Sequence, residues 1–212
     1  MHSIIKISFL SEWHFSSSVG DGYLIDATLV RDVDGFPYIP GRTMRGCLRL
    51  AAGRLGMCRA DLKRAENFFW EEHANVPTKN YIGALRISSA SFSQDLKRQV
   101  LNHSNKKQLI ADLTVLHMGT SIGDNGCAKS GSLYTIECGI QGLEMFATID
   151  VDPCKGIDDA WLKSYFKAVC GMVKNLGADS SRGLGRCKVT FLDDDKPVVL
   201  PQPNDFLMKL GA

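Results

Sequence analysis

Paired metal-ligand or disulfide spacings are what this chain most plainly lacks. Its seven cysteines stand singly, at Cys47, Cys58, Cys127, Cys138, Cys154, Cys170 and Cys187, with no CxxC pair and an odd total. No two Cys or His fall at ligand spacing, so a zinc site is not expected. The thiols read as reduced and mostly buried, the usage of a cytosolic protein. No apolar run approaches membrane-spanning length, and the chain enters a strand pattern at once. The expectation is a cytoplasmic protein with no secretory leader and no membrane partner. Charge of one sign is also missing: 25 Lys and Arg face 23 Asp and Glu, a net charge of +2. Bulk electrostatics therefore announce no polyanion partner. No Gly-Lys-Ser/Thr phosphate loop and no GxGxxG occurs. The glycine loop at 177–186 leads into a strand, which excludes a dinucleotide-binding turn.

The local distribution of charge says more than its total. Seven cations (Arg42, Arg45, Arg49, Arg54, Arg59, Lys63 and Arg64) lie between positions 42 and 64, with one acid, Asp61. They follow DVDGFPYIPGRTMRGCLR, residues 32–49. Asp34-Gly35 marks a turn. Pro37 and Pro40 push the residues before them toward extended backbone. Gly41 permits close approach of backbone or ligand. Met44, Cys47, Leu48, Ala51 and Leu55 then recur at helical spacing, and Arg42, Arg45 and Arg49 share another face. Cations at a helix start oppose its dipole unless an anion such as a phosphate sits there. The plainer alternative is a surface helix with solvated arginines. The wrong-end placement and the Gly-Arg-Thr entry favour phosphate.

Along the chain, residues 4–10 alternate as a strand. A Ser/Gly-rich loop follows, and 23–31 resumes an extended pattern broken by Asp26. An acid inside an apolar strand is exposed, paired or on a metal. The pattern leaves Asp26 open between an outward-facing polar position and a functional one. Helices are expected at 43–55 and 59–75, the second ending in Phe68, Phe69 and Trp70, which suit core packing or a subunit contact rather than base stacking. A strand is expected at 82–92, an irregular insertion at 93–132, and a hairpin of 133–138 with 143–151. Last come a helix capped by Asp158 or Asp159 and ended by Gly177, a strand at 187–192, and a Pro-rich tail at 193–212.

This order is an α+β, ferredoxin-like (RRM-like) sandwich: one antiparallel sheet and two helices, spanning residues 1–192 as one domain. The aromatic signatures of an RRM are absent, so stacking of bases on the sheet is not expected. In the loop GADSSRGLGR the glycines at 177, 183 and 185 offer backbone N–H groups to an anion, and Arg182 and Arg186 neutralise it. The helix start and this loop are expected to form two walls of one channel for a polyanionic strand.

Taken in order, RDVDGFPYIPGRTMRGCLR, GALRISSA, GCAKSGSLYTIE and SSRGLGRCKV resemble the RAMP superfamily of CRISPR type III effector complexes, most closely the repeated backbone subunit. The resemblance covers most of residues 1–192. It implies a palm with an inserted thumb hairpin, within about 93–132, and finger loops. It also implies stacking with neighbouring copies and other RAMP subunits along a CRISPR guide RNA that pairs with target RNA. Guide contacts are carried onto Gly41, Arg42, Thr43, Arg45 and Arg49, and onto Arg182, Gly183, Gly185 and Arg186. In nuclease-active members an aspartate shortly before the Pro-Tyr-Ile-Pro-Gly block supports metal-dependent cleavage. Asp26 matches that position, as catalytic residue and ligand of Mg²⁺ or Mn²⁺. The sequence departs from the family in preceding Asp26 with Tyr23-Leu24-Ile25, and Asp21 is a rival carboxylate. His14 is a conceivable acid–base helper.

The resemblance thus implies a guide-binding endoribonuclease, against a purely architectural subunit. A metal-independent guide-processing ribonuclease ranks last, because His14, His73, His103 and His117 show no grouping in the sequence.

Overall fold

The computed structural model describes residues 1–16, 24–59, 62, 63, 65, 69, 70, 85–152 and 158–192. Among them the elements run β1 (His2–Phe9), α1 (Gly41–Cys58), β2 (Leu85–Ile87), α2 (Gln94–Leu101), α3 (Lys106–Ala111), β3 (Thr114–Gly119), β4 (Tyr134–Gly139), β5 (Glu144–Val151), α4 (Asp159–Met172) and β6 (Cys187–Leu192). A short 3₁₀ turn at Ser180–Arg182 precedes β6. The proposed tail at 193–212 lies outside the described residues, as does most of the helix expected at 59–75.

Alternation builds the main sheet. Ile5, Ile7 and Phe9 of β1, Met145, Ala147, Ile149 and Val151 of β5, and Val189 and Phe191 of β6 are buried on one face. The strand order is β2-β5-β1-β6, with β1 antiparallel to β5 and β6, and β5 antiparallel to β2. This is the ferredoxin-like arrangement expected. Helices α1 and α4 cover the apolar face through Met44, Leu48, Ala51 and Leu55 on one, and Trp161, Tyr165, Phe166 and Val169 on the other. Phe69 and Trp70 fill the space beside them: Phe69 lies 5.6 Å from the Phe166 ring and Trp70 lies 6.2 Å from it. Their expected core role holds.

Three local expectations are corrected. Residues 134–139 do not pair with 143–151. They pair with β3, from Thr114↔Gly139 to Gly119↔Tyr134, and form a separate two-stranded hairpin. The reason is burial: β5 has a full apolar face and belongs between β1 and β2, whereas β3 has exposed Leu116 and Met118. The turn between β4 and β5 therefore joins two sheets. Helix α4 ends at Met172, before Gly177, and Asp158 at its N-cap position makes no side-chain cap hydrogen bond.

Candidate nucleic-acid interface

Helix α1 begins abruptly because Pro40 sits at its N-cap with extended backbone, at φ −59° and ψ 138°. No side chain caps it and its first turn holds no acid. Gly41 is required by packing: a Cβ there would lie 2.7 Å from the Ile87 carbonyl oxygen. The Gly41 N–H donates to Ser89 Oγ at 3.1 Å, so it is already satisfied. The N–H groups of Arg42 and Thr43 have no partner among the described residues. The opening of the helix thus presents two unpartnered donors at the positive end of an 18-residue dipole.

The three arginines of this helix separate by environment. Arg42 and Arg49 are exposed. Between them Gly46 is exposed too, and a Cβ there would meet nothing within 4 Å. Arg45 turns inward. Its guanidinium donates to the Leu85 carbonyl at 2.8 Å and the Phe69 carbonyl at 3.3 Å, and stands over the Trp70 ring. Of the set expected to meet a guide, Arg42 and Arg49 are open to a ligand, while Arg45 ties the helix to the palm.

The glycine loop is shaped by backbone requirements. Gly183 and Gly185 adopt φ of +96° and +71°, and a Cβ on Gly185 would lie 2.0 Å from the Leu176 oxygen. Gly183 and Gly185, with two neighbours, already use their N–H groups: Arg182 and Leu184 donate to the Asp179 carbonyl, Gly183 to that of Ser180, and Gly185 to that of Glu12. The expectation that these glycines offer N–H groups to an anion is corrected on this point. The side chains remain. Arg186 is exposed, and Arg182 Nη1 lies 2.9 Å from the Tyr134 hydroxyl and 3.3 Å from Asp179 Oδ1.

The helix start and the loop lie at opposite edges of the palm. The first packs on Ile87–Ser89, beside β2, and the second leads into β6. Those are the two outer strands, three strand spacings or about 14 Å apart. A polyanion touching both must cross the breadth of the palm.

Asp26 is exposed on a segment that runs beside the hairpin. Its backbone N–H donates to the Thr135 carbonyl at 2.8 Å, and its Oδ2 accepts from the Thr135 N–H at 2.7 Å. Oδ1 has no partner among the described residues. The segment is held further along by Glu137, whose carboxylate accepts from the Leu29 N–H and the Arg31 guanidinium. Burial pushes the Glu137 carboxyl up, but the Leu29 N–H and Arg31 outweigh it and hold it below its ordinary range. Asp26 belongs to no group of three or more His, Cys, Asp or Glu residues placed to hold a metal among the described residues. One carboxylate with a free oxygen still fits Mg²⁺, which takes one or two carboxylates and completes its shell with water and substrate phosphate. Asp21 lies outside the described residues. His14 is buried, with Nδ1 2.6 Å from the Glu137 carbonyl, so it braces the hairpin and does not face solvent.

The fold also groups residues the sequence left apart. His117 of β3 hydrogen-bonds Glu12 through Nε2. With Met118, Gly119, Tyr134, Ile136, Asp179, Arg182 and Leu184 it lines a cleft of about 90 Å³ between the hairpin and the glycine loop. Sixty residues separate His117 from the loop, and only the antiparallel pairing of β3 with β4 brings them together.

No helix among the described residues is long and apolar enough to cross a membrane. No curated protein matches the chain. It is similar in fold to a chain in the cryo-EM structure of the Type III-B Cmr-beta bound to cognate target RNA. That match has a TM-score of 0.65 at 11% identity and covers 90% of this chain and 97% of that one. A chain from the apo state of Type III-B Cmr-beta gives 0.64 at 13% identity, over 92% and 98%. One from a Type IV-B CRISPR complex gives 0.54 at 18% identity, over the whole of both chains. A model of the RAMP superfamily matches residues 6–188. With that match over most of its length, the chain belongs to the RAMP superfamily.

Proposed function

We propose that this protein is a backbone subunit of a CRISPR type III effector complex, acting in the cytoplasm. It binds guide RNA alongside neighbouring copies and other RAMP subunits, and it cleaves complementary target RNA with a divalent metal. The observation that carries the binding reading is the uncapped start of α1, where two free N–H groups lie beside exposed Arg42 and Arg49 on a RAMP palm. Phosphate is the ligand that uses both the donors and the charge. Thr43 and the first turn meet the same strand, Gly41 lets the helix seat against the sheet, and Arg45 fixes its tilt. Arg182 and Arg186 hold the guide at the other edge, on a loop that Gly183 and Gly185 shape.

Cleavage is assigned to Asp26. Mg²⁺ or Mn²⁺ held there supplies a Lewis acid against a target phosphate. Asp26 is the residue that orients it, and Thr135 fixes the carboxylate through its N–H. Target RNA annealed to the guide-loaded protein is expected to be cut with Mg²⁺ and spared in EDTA. Asp26→Ala is expected to bind RNA normally and leave it whole, and undiminished cutting by that variant would refute the assignment. A purely architectural role is the second reading, favoured by the absence, among the described residues, of any group of three or more His, Cys, Asp or Glu placed to hold a metal. On that reading the wild-type complex leaves target RNA intact in Mg²⁺.

A further inference from the structure

Asp179 is the only non-glycine residue with positive φ among the described residues, at φ 53°. Three glycines of the same loop, Gly177, Gly183 and Gly185, also have positive φ. An aspartate tolerates that conformation better than most residues but less well than glycine. A role for its side chain would account for an aspartate at that position. Helix capping is not the reason: Asp179 stands at the N-cap of the 3₁₀ turn without a side-chain cap hydrogen bond. Its carboxylate instead faces the cleft at the hairpin root, 3.3 Å from Arg182 Nη1.

A carboxylate beside an arginine assigned to phosphate is costly, because it repels the phosphate it adjoins. The cost vanishes if the bound strand brings a donor to it. The sugar–phosphate backbone itself carries such a donor only when its sugar is ribose, through the 2′-hydroxyl beside each phosphate. The cleft, of about 90 Å³, has room for several waters and so for a small polar group such as a sugar. The Tyr134 ring and Leu184 side chain supply apolar walls for it. Glu12, the other acid near the cleft, is engaged by His117. Asp179 is left as the acceptor within reach of a strand on Arg182.

Resting on the guide-binding reading above, we propose that Asp179 accepts a ribose 2′-hydroxyl in the cleft between the glycine loop and the hairpin. It thereby makes the protein select RNA over DNA as its bound strand. The site takes a sugar–phosphate unit, with the phosphate on Arg182 and the hydroxyl on Asp179. It reads no base.

The test is the affinity of the full chain for RNA, DNA and fully 2′-fluoro RNA of one sequence, at one salt concentration. The 2′-fluoro strand keeps the ribose-like shape and lacks the donor. The wild type is expected to bind RNA about tenfold more tightly than either other strand, the scale of one hydrogen bond to a charged acceptor. Asp179→Gly removes the carboxylate and adopts the same φ without strain, so its thermal midpoint is expected not to fall. That variant is expected to bind RNA and DNA equally, because RNA loses its acceptor while DNA gains from the removed repulsion. An RNA-to-DNA ratio that survives Asp179→Gly, or 2′-fluoro RNA bound as tightly as RNA, overturns the assignment and leaves the guide-binding reading standing. A wild type that binds none of the three strands overturns both.

Discussion

The guanidinium of Arg45 stands 5.7 Å above the centre of the Trp70 ring, while Arg42 and Arg49 on the same helix face solvent. One basic stripe in the sequence therefore divides into a structural residue and two solvent-facing ones. Arg45→Ala leaves two carbonyls without their charged donor and uncovers an indole. It is expected to cost about 2 kcal/mol of stability by chemical denaturation. Arg42→Ala and Arg49→Ala are expected to change stability by less than about 0.5 kcal/mol. Equal losses for all three would contradict the division.

Salt reports the other half of that division. If Arg42 and Arg49 each neutralise one phosphate, the slope of log affinity for RNA against log salt flattens by about one unit in each alanine variant. Titrations between low and physiological salt measure it. An unaltered slope in both variants removes α1 from the interface.

Glu137 ties the Asp26-bearing segment to the hairpin, and its carboxyl is held below the ordinary value of 4.5. The sign follows from the depression. The stabilisation is complete above the unfolded value and is lost as pH falls through the lower folded value. Hydrogen exchange of the Leu29 amide is expected to stay slow at pH 6 and to lose protection, beyond the intrinsic pH trend, below about pH 4.5. Glu137→Gln is expected to show the weakened protection already at pH 6.

The two late glycines are not equivalent. A methyl group on Gly185 would lie 2.0 Å from a backbone oxygen, whereas one on Gly183 meets nothing within 4 Å. Gly183→Ala is expected to cost about 1 kcal/mol for its positive φ. Gly185→Ala adds a clash with backbone and is expected to lower the thermal midpoint much further. Similar midpoints would show that the loop gives way at Leu176.

The cysteines carry a chemical prediction. Burial pushes the Cys138, Cys170 and Cys187 thiols up to about 12, Cys138 and Cys187 with help from nearby groups. Cys58 and Cys127 are exposed. A maleimide at pH 7 is expected to modify Cys58 and Cys127 in the folded protein and to spare those three until it is denatured. Mass spectrometry of the peptides reads this directly.

Local pattern was enough for the palm. Ile5, Ile7 and Phe9 alternate, Met44, Leu48, Ala51 and Leu55 return at helical spacing, and both signals come from neighbours in the chain. The same pattern could not choose a partner for residues 134–139. A strand next to a tight turn pairs as readily across it as away from it, and the choice rests on which strand needs the core. The sequence by itself determined the ferredoxin-like series, the aromatic core of Phe69 and Trp70, and the helix with arginines at its start. Only the tertiary structure decided that Arg45 faces inward, that Gly183 and Gly185 spend their own N–H groups, and that His117, Tyr134, Asp179 and Arg182 share a cleft. Those facts depend on contacts between residues far apart in sequence, and spacing along the chain carries no record of them.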